Sequence, residues 1–359
     1  MEMDIQKAGD NSTQVHASVV NVFNGITEER AREICKEEFE KIVELTQEAR
    51  QTALQRVCEL ENRVIPKLSR IENGLDFFSN PDFQFLLIEA QKAAARSERP
   101  VDYDLLSELL LHRVKNDSDR EKRLGIKKAV EIVDSISDEA LLGLTVFHAV
   151  SCFSPESGDL DAGLDRLDSL FNTLCYSDLP EGNRWIDHLD LLGAIRVNPI
   201  GKLMPMLDYY SSLLNGYVCV GILKGSENYF KAIELLANIG VSEDILVDNV
   251  LNPNYIRLNS PQQNSFESIY KLIAPNVMIP LSTKEKTTLK DIVSLYNNDP
   301  LLLQNVKKSF SEKWKMRKSL NQLNDWWTII PHAFTLTQMG TVLAHANAQR
   351  CDSSLPPLN

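Results

Sequence analysis

No run of this chain is apolar for long enough to cross a bilayer. The longest, such as Leu141–Val146, falls far short of the roughly twenty residues a membrane helix needs. The opening Met1-Glu2-Met3-Asp4 is acidic and polar, unlike the basic and then apolar start of a secretory signal. None of the six cysteines (Cys35, Cys58, Cys152, Cys175, Cys219, Cys351) stands in a Cys-x-x-Cys pair, so they read as free thiols in a reducing compartment. There is no Walker-type loop and no Gly-x-Gly-x-x-Gly turn. Positive charge is scarce: 38 Lys and Arg against 50 Asp and Glu leave a net charge of −12. That excess opposes non-specific binding to nucleic acid or anionic lipid. No repeat of fixed period occurs. Together these absences predict a cytoplasmic protein with no membrane partner and leave nucleic acid an open question.

What is present is a chain of 359 residues, 43% hydrophobic, with room for two or three domains. Its character changes at Gly25. Residues 8–24 are polar with β-type members, among them Val15, Ala17 and Val19. After Gly25 a helical pattern runs to Phe78, with Thr27 as N-cap and Glu28 and Glu29 in the first turn. Apolar positions recur at Ile34, Phe39, Ile42, Leu45, Ala49, Ala53, Val57, Leu60, Val64, Leu68, Ile71, Leu75 and Phe78. From Ala49 the steps are three or four residues, which makes one narrow seam. About fifty helical residues would reach roughly 75 Å. Pairing of such a helix with a second copy is the favoured expectation. The alternative is two ordinary helices that fold back on one domain; in either case Pro66, inside the pattern, should kink the helix or split it in two.

The expected fold is mostly α: a short N-terminal β-element, a long coiled-coil-like helix, and an α-rich globular domain with a few short strands. The expected divisions are residues 1–25 (oligomerisation segment), 26–79 (stalk), 80–200 (helical domain) and 201–359 (α-rich, with short strands). Asp102 is placed as a cap for a helix from Tyr103, and Ser137 for a helix through Cys152. Short strands are expected at Ala194–Val197 and Phe334–Thr337. Residues 248–277, carrying Pro253, Pro261 and Pro275, read as loop-rich. Ser282-Thr283-Lys284-Glu285 reads as a capping box.

Candidate chemistry is sparse. His148 and Cys152 have the i, i+4 spacing of two zinc ligands, but no matching second pair is evident, and burial in the core is the plainer reading. His345, Arg350, Cys351 and Asp352 gather near the C-terminus, where a Cys and a His make a nucleophile pair only if the fold joins them. Asp187 and Asp190 share a helical face from which His188 points away. Two basic clusters, Arg113 to Lys128 and Lys307 to Lys318 with Trp314, Trp326 and Trp327 beside the second, read as solvated faces over core tryptophans rather than as strand-binding grooves. Gln6-Lys7-Ala8-Gly9-Asp10-Asn11 resembles polar stacking motifs, though its turn-forming residues favour a finite β-structure. No residue is assigned a catalytic, cofactor or metal role.

The blocks Ala8–Gln14, Gly25–Ile34, Asn80–Leu87 and Ala344–Asp352, with the ending Leu355-Pro356-Pro357-Leu358-Asn359, resemble a full-length bacterial family without an assigned activity. The middle (Leu106–Val114, Lys128–Val133, Ser137–Ala140, His188–Ile195, and the later Leu336–Gly340) is similar to the helical Abi-alpha family of abortive phage infection. The last two pieces stand well over a hundred residues apart. This second resemblance implies anti-phage defence. The leading expectation is therefore a homo-oligomeric scaffold or sensor, its partners being itself and another defence protein or a phage component. The self-contacts are placed at Val15, Ala17, Val19, Ile34, Ile42, Leu45, Ala49, Ala53, Val57, Leu60, Val64, Leu68, Ile71 and Leu75. The alternatives are an assembly-activated effector enzyme acting on nucleic acid, and a winged-helix DNA binder.

Overall fold

The computed structural model describes residues 26–40, 47–116, 118–267, 269–274 and 277–358. Val15, Ala17, Val19, Ile42 and Leu45, and with them the expected β-type segment 1–25, lie outside the described residues. The fold is mostly helical with a few short strands. The chain divides into two compact units at Asp117/Ser118, not at the boundaries 79/80 and 200/201 read from composition.

In the first unit, α1 (Glu28–Glu40) is followed by α2 (Gln47–Leu68). The expected helix to Phe78 stops at Leu68, two residues after Pro66, whose ring nitrogen cannot donate to the helix ladder. The chain then turns through Asn73, in left-handed conformation, into a short 3-10 turn at Gly74–Ser79. A side chain on Gly74 would drive into the Leu68 carbonyl, so the turn needs glycine there. Asn80 caps α3 (Pro81–Arg96) by accepting from the Asp82 and Phe83 backbone N–H groups.

Helix α4 runs Pro100–Lys115. Asp102 does not cap it. It is buried inside the first turn, where Ser97 Oγ donates to it and Arg99 pairs with it at 2.9 Å.

The seam of α2 is covered by the chain's own α3 and α4, which is the fold-back arrangement and not a free stalk. Ala53, Val57, Leu60, Val64 and Leu68 are all buried, and Ile34 of α1 is buried too. Ala49 is exposed, and Ile71 and Leu75 are half-buried. Charged residues beside the seam fix the register: Lys67 meets Glu108 at 2.6 Å and Arg63 meets Asp104 at 2.6 Å. Ile34, Ala53, Val57, Leu60, Val64 and Leu68, expected as self-contacts, are already removed from water within one chain and offer no surface to a second copy.

The second unit begins with α5 (Arg120–Ile132), α6 (Asp138–Cys152), α7 (Leu160–Leu174) and α8 (Arg184–Leu191). Ser137 caps α6 as expected. Strand β1 (Ile195–Asn198) pairs antiparallel with β7 (Ala333–Leu336). Helix α14 (Gln338–Cys351) follows at once and is buried nearly all round against α5 and α6. Gly340, Ala344, Ala346 and Ala348 keep it slim enough to sit there.

Between β1 and β7 lie α9 (Met206–Leu213), β2 (Ile222–Leu223), α10 (Glu227–Asn238), β3 (Leu246–Asp248), β4 (Tyr255–Leu258), β5 (Tyr270–Ala274), β6 (Val277–Pro280), α11 (Thr283–Ser294), α12 (Pro300–Lys315) and α13 (Lys318–Ile329). Strands β2, β4 and β3 form an antiparallel sheet in that order, and β5 and β6 form a hairpin. The stretch expected to be loop-rich thus contains strands, starting with β4. Ser282 and Glu285 form the expected capping box on α11.

Candidate functional site

Helix α6 presents His148 and Cys152 one turn apart, and α14 brings His345 against them. His148 Nε2 lies 3.2 Å from His345 Nδ1, and Cys152 Sγ lies 3.9 Å from the same nitrogen. Among the described residues this is the group of His, Cys, Asp or Glu whose ligand atoms, all within 4.8 Å of one another, suit a metal ion. The histidines are buried and Cys152 is exposed, so the cluster reaches from the core to the protein surface. Phe153 closes one wall, its ring 5.5 Å from that of His345.

The tail holds the cluster from behind. His345 Nε2 is 3.0 Å from the Pro356 carbonyl, and Gln349 Nε2 donates to the Leu355 and Pro356 carbonyls at 3.0 and 2.9 Å. A carbonyl only accepts, so His345 carries its proton on Nε2 and turns a lone pair on Nδ1 toward His148 and Cys152. Burial, helped by His345, pushes the His148 pKa down to about 4, which keeps its ring neutral near pH 7. Packing around the Cys152 sulfur raises its pKa, so without a metal it is a thiol and a poor nucleophile.

Each sequence candidate therefore finds its place. His148 and Cys152 are joined by His345 rather than by a second i, i+4 pair. Cys351 does not complete a nucleophile pair with His345; its sulfur is approached by Arg350 at 3.5 Å. Arg350 also donates to Asn347 and lies over the Tyr176 ring. His188 Nε2 accepts from the Ser137 backbone N–H while Asp187 takes the Asn183 amide, so the two do not form one site.

Part of each basic cluster is paired within the fold, while Lys307, Lys308, Lys315 and Lys318 lie exposed. Arg113 is buried and paired with Asp82 at 2.8 Å. Lys313 and Arg317 pair with Asp161, and Arg317 also with Asp165. Trp314, Trp326 and Trp327 are buried and donate to the carbonyls of Leu320, Pro180 and Met204, so they offer no face for stacking bases. A separate cavity of about 610 Å³, missed in the sequence, lies between α10 and the three-stranded sheet. Lys224, Asp248, Glu243, Asp244 and Tyr229 line it, and Lys224 is paired with Asp248 at 2.7 Å.

These features define a helical protein in two units, with a His–Cys–His cluster in the core of the second. No helix among the described residues is long and apolar enough to cross a membrane. A protein-family model described as ":-like" matches residues 25–355, and the chain belongs to that family. No curated protein and no solved structure matches the chain.

Proposed function

We propose that the protein is a self-associating scaffold or sensor in bacterial anti-phage defence. One observation carries the reading. The two pieces that resemble the Abi-alpha family, near residues 194 and 336–340, are neighbours in space although far apart in sequence. The Thr337 backbone N–H donates to the Ala194 carbonyl at 3.0 Å, and Thr337 Oγ1 donates to the Gly193 carbonyl at 2.9 Å. A side chain on Gly340 would collide with the Ala194 carbonyl, so the contact depends on glycine. This favours an Abi-alpha-like helical body interrupted by residues 199–332 over a chance match. In this reading self-association involves residues 1–25, because the α2 stripe is already covered.

The test is to express the full chain in a bacterial host and challenge it with a panel of phages. Fewer plaques than with empty vector are expected for at least one phage, with protection lost on Gly340→Leu. Unchanged plating across the panel would overturn the defence role. Light scattering at micromolar concentration that returns the mass of one chain would overturn self-association.

A further inference from the structure

We infer that His148, Cys152 and His345 form a binding site for a zinc-class divalent metal ion, with its fourth position open to solvent. Two imidazole nitrogens at about 2.0–2.1 Å from a tetrahedral metal stand roughly 3.3–3.4 Å apart. The two here stand 3.2 Å apart. A nitrogen and a thiolate sulfur on the same metal, the sulfur at about 2.3 Å, stand roughly 3.6 Å apart. Cys152 Sγ and His345 Nδ1 stand 3.9 Å apart, and all three ligand atoms lie within 4.8 Å of one another, so the sulfur moves in toward the nitrogens when an ion binds.

The surroundings also fit. A metal-bound histidine commonly donates its other N–H to a carbonyl or carboxylate, which fixes the tautomer and aims the lone pair. His345 has this arrangement with Pro356, and Gln349 secures that carbonyl from the side. One soft sulfur with two borderline nitrogens suits zinc over magnesium or calcium, which take oxygen. In the metal-free protein the His148 Nε2 proton bridges to His345 Nδ1. On binding, that proton moves to His148 Nδ1, and Cys152 loses its own to solvent as the sulfur–metal bond forms. The exposed side at Cys152 leaves room for a water or an incoming ligand as fourth partner.

The experiment uses the purified full chain, stripped with chelator and titrated with Co2+, then with Zn2+. One Co2+ per chain is expected, with the visible bands of a tetrahedral ion and a near-ultraviolet thiolate charge-transfer band, both displaced by Zn2+. Cys152→Ser is expected to remove the charge-transfer band. Gln349→Leu, which removes the amide donor to the supporting carbonyls, is expected to weaken binding roughly 10- to 100-fold. Cys58→Ser, an exposed thiol in the other unit, should leave the titration unchanged. Cys152 is exposed, so its replacement keeps the fold, and circular dichroism verifies this. Absence of a charge-transfer band in the unaltered protein, or its survival in Cys152→Ser, overturns the assignment.

Discussion

Glu61 of α2 carries its proton into the neutral range. Burial pushes its pKa up to about 7, against the pull of Arg32 and of a hydrogen bond from Gln91. A carboxyl whose folded pKa lies above its unfolded value adds stability below pH 4.5, and that stability is lost as pH rises through 7. Glu61→Gln should therefore stabilise the protein at pH 8.5 and change little at pH 5. The gain is on the order of 1 kcal/mol after solvent screening, read as the urea midpoint at the two pH values. Arg257 is a second buried residue whose value lies in what it satisfies. Its guanidinium donates to the carbonyls of Leu258, Ser260 and Gly158 and stacks over Tyr217. Arg257→Met removes the donor to the Gly158 and Ser260 carbonyls, while that of Leu258 keeps the Ser260 N–H, and should cost about 2–4 kcal/mol in urea unfolding. At this scale the site was half legible. The i, i+4 spacing of His148 and Cys152 is visible because both lie on one helix. His345 stands 197 residues from His148, and no local pattern encodes that meeting.

The elements teach a different lesson. The stripe on α2 was plain in the sequence, but apolar periodicity says only that a face is covered and never by what. Here α3 and α4 supply the cover. Leu60→Ala should then lower the stability of the folded chain by about 2–5 kcal/mol, seen as an earlier unfolding transition at unchanged association state. Caps were the most readable signals: Ser137 and the Ser282–Glu285 box act through one or two local hydrogen bonds, which sequence spacing specifies directly. Strand β4 was invisible because all four of its residues are buried, leaving no alternation to see. Gly340→Ala would press a methyl group into the Ala194 carbonyl and should cost about 1–3 kcal/mol, measurable by thermal unfolding.

For the molecule as a whole, the division at Asp117/Ser118 follows a charged connection that composition marked without revealing as a boundary. Lys115 and Arg120, both exposed, flank it. Brief trypsin treatment should cut there first and yield two fragments with the masses of the two units. First cuts within α12 or α13 would contradict the division. The pairing of Asn198 with Ala333 has a wider consequence. The polypeptide leaves the helical house and comes home through a single doorway, and α12 and α13 are fastened to the wall beside it by Lys313, Arg317 and the buried tryptophans. The stretch between α9 and α11 hangs from that fixture like an annex. It is pinned to the body a second time, where Arg257 donates to the Gly158 carbonyl and Tyr217 to that of Ser157, so a change inside the annex is felt just ahead of α7.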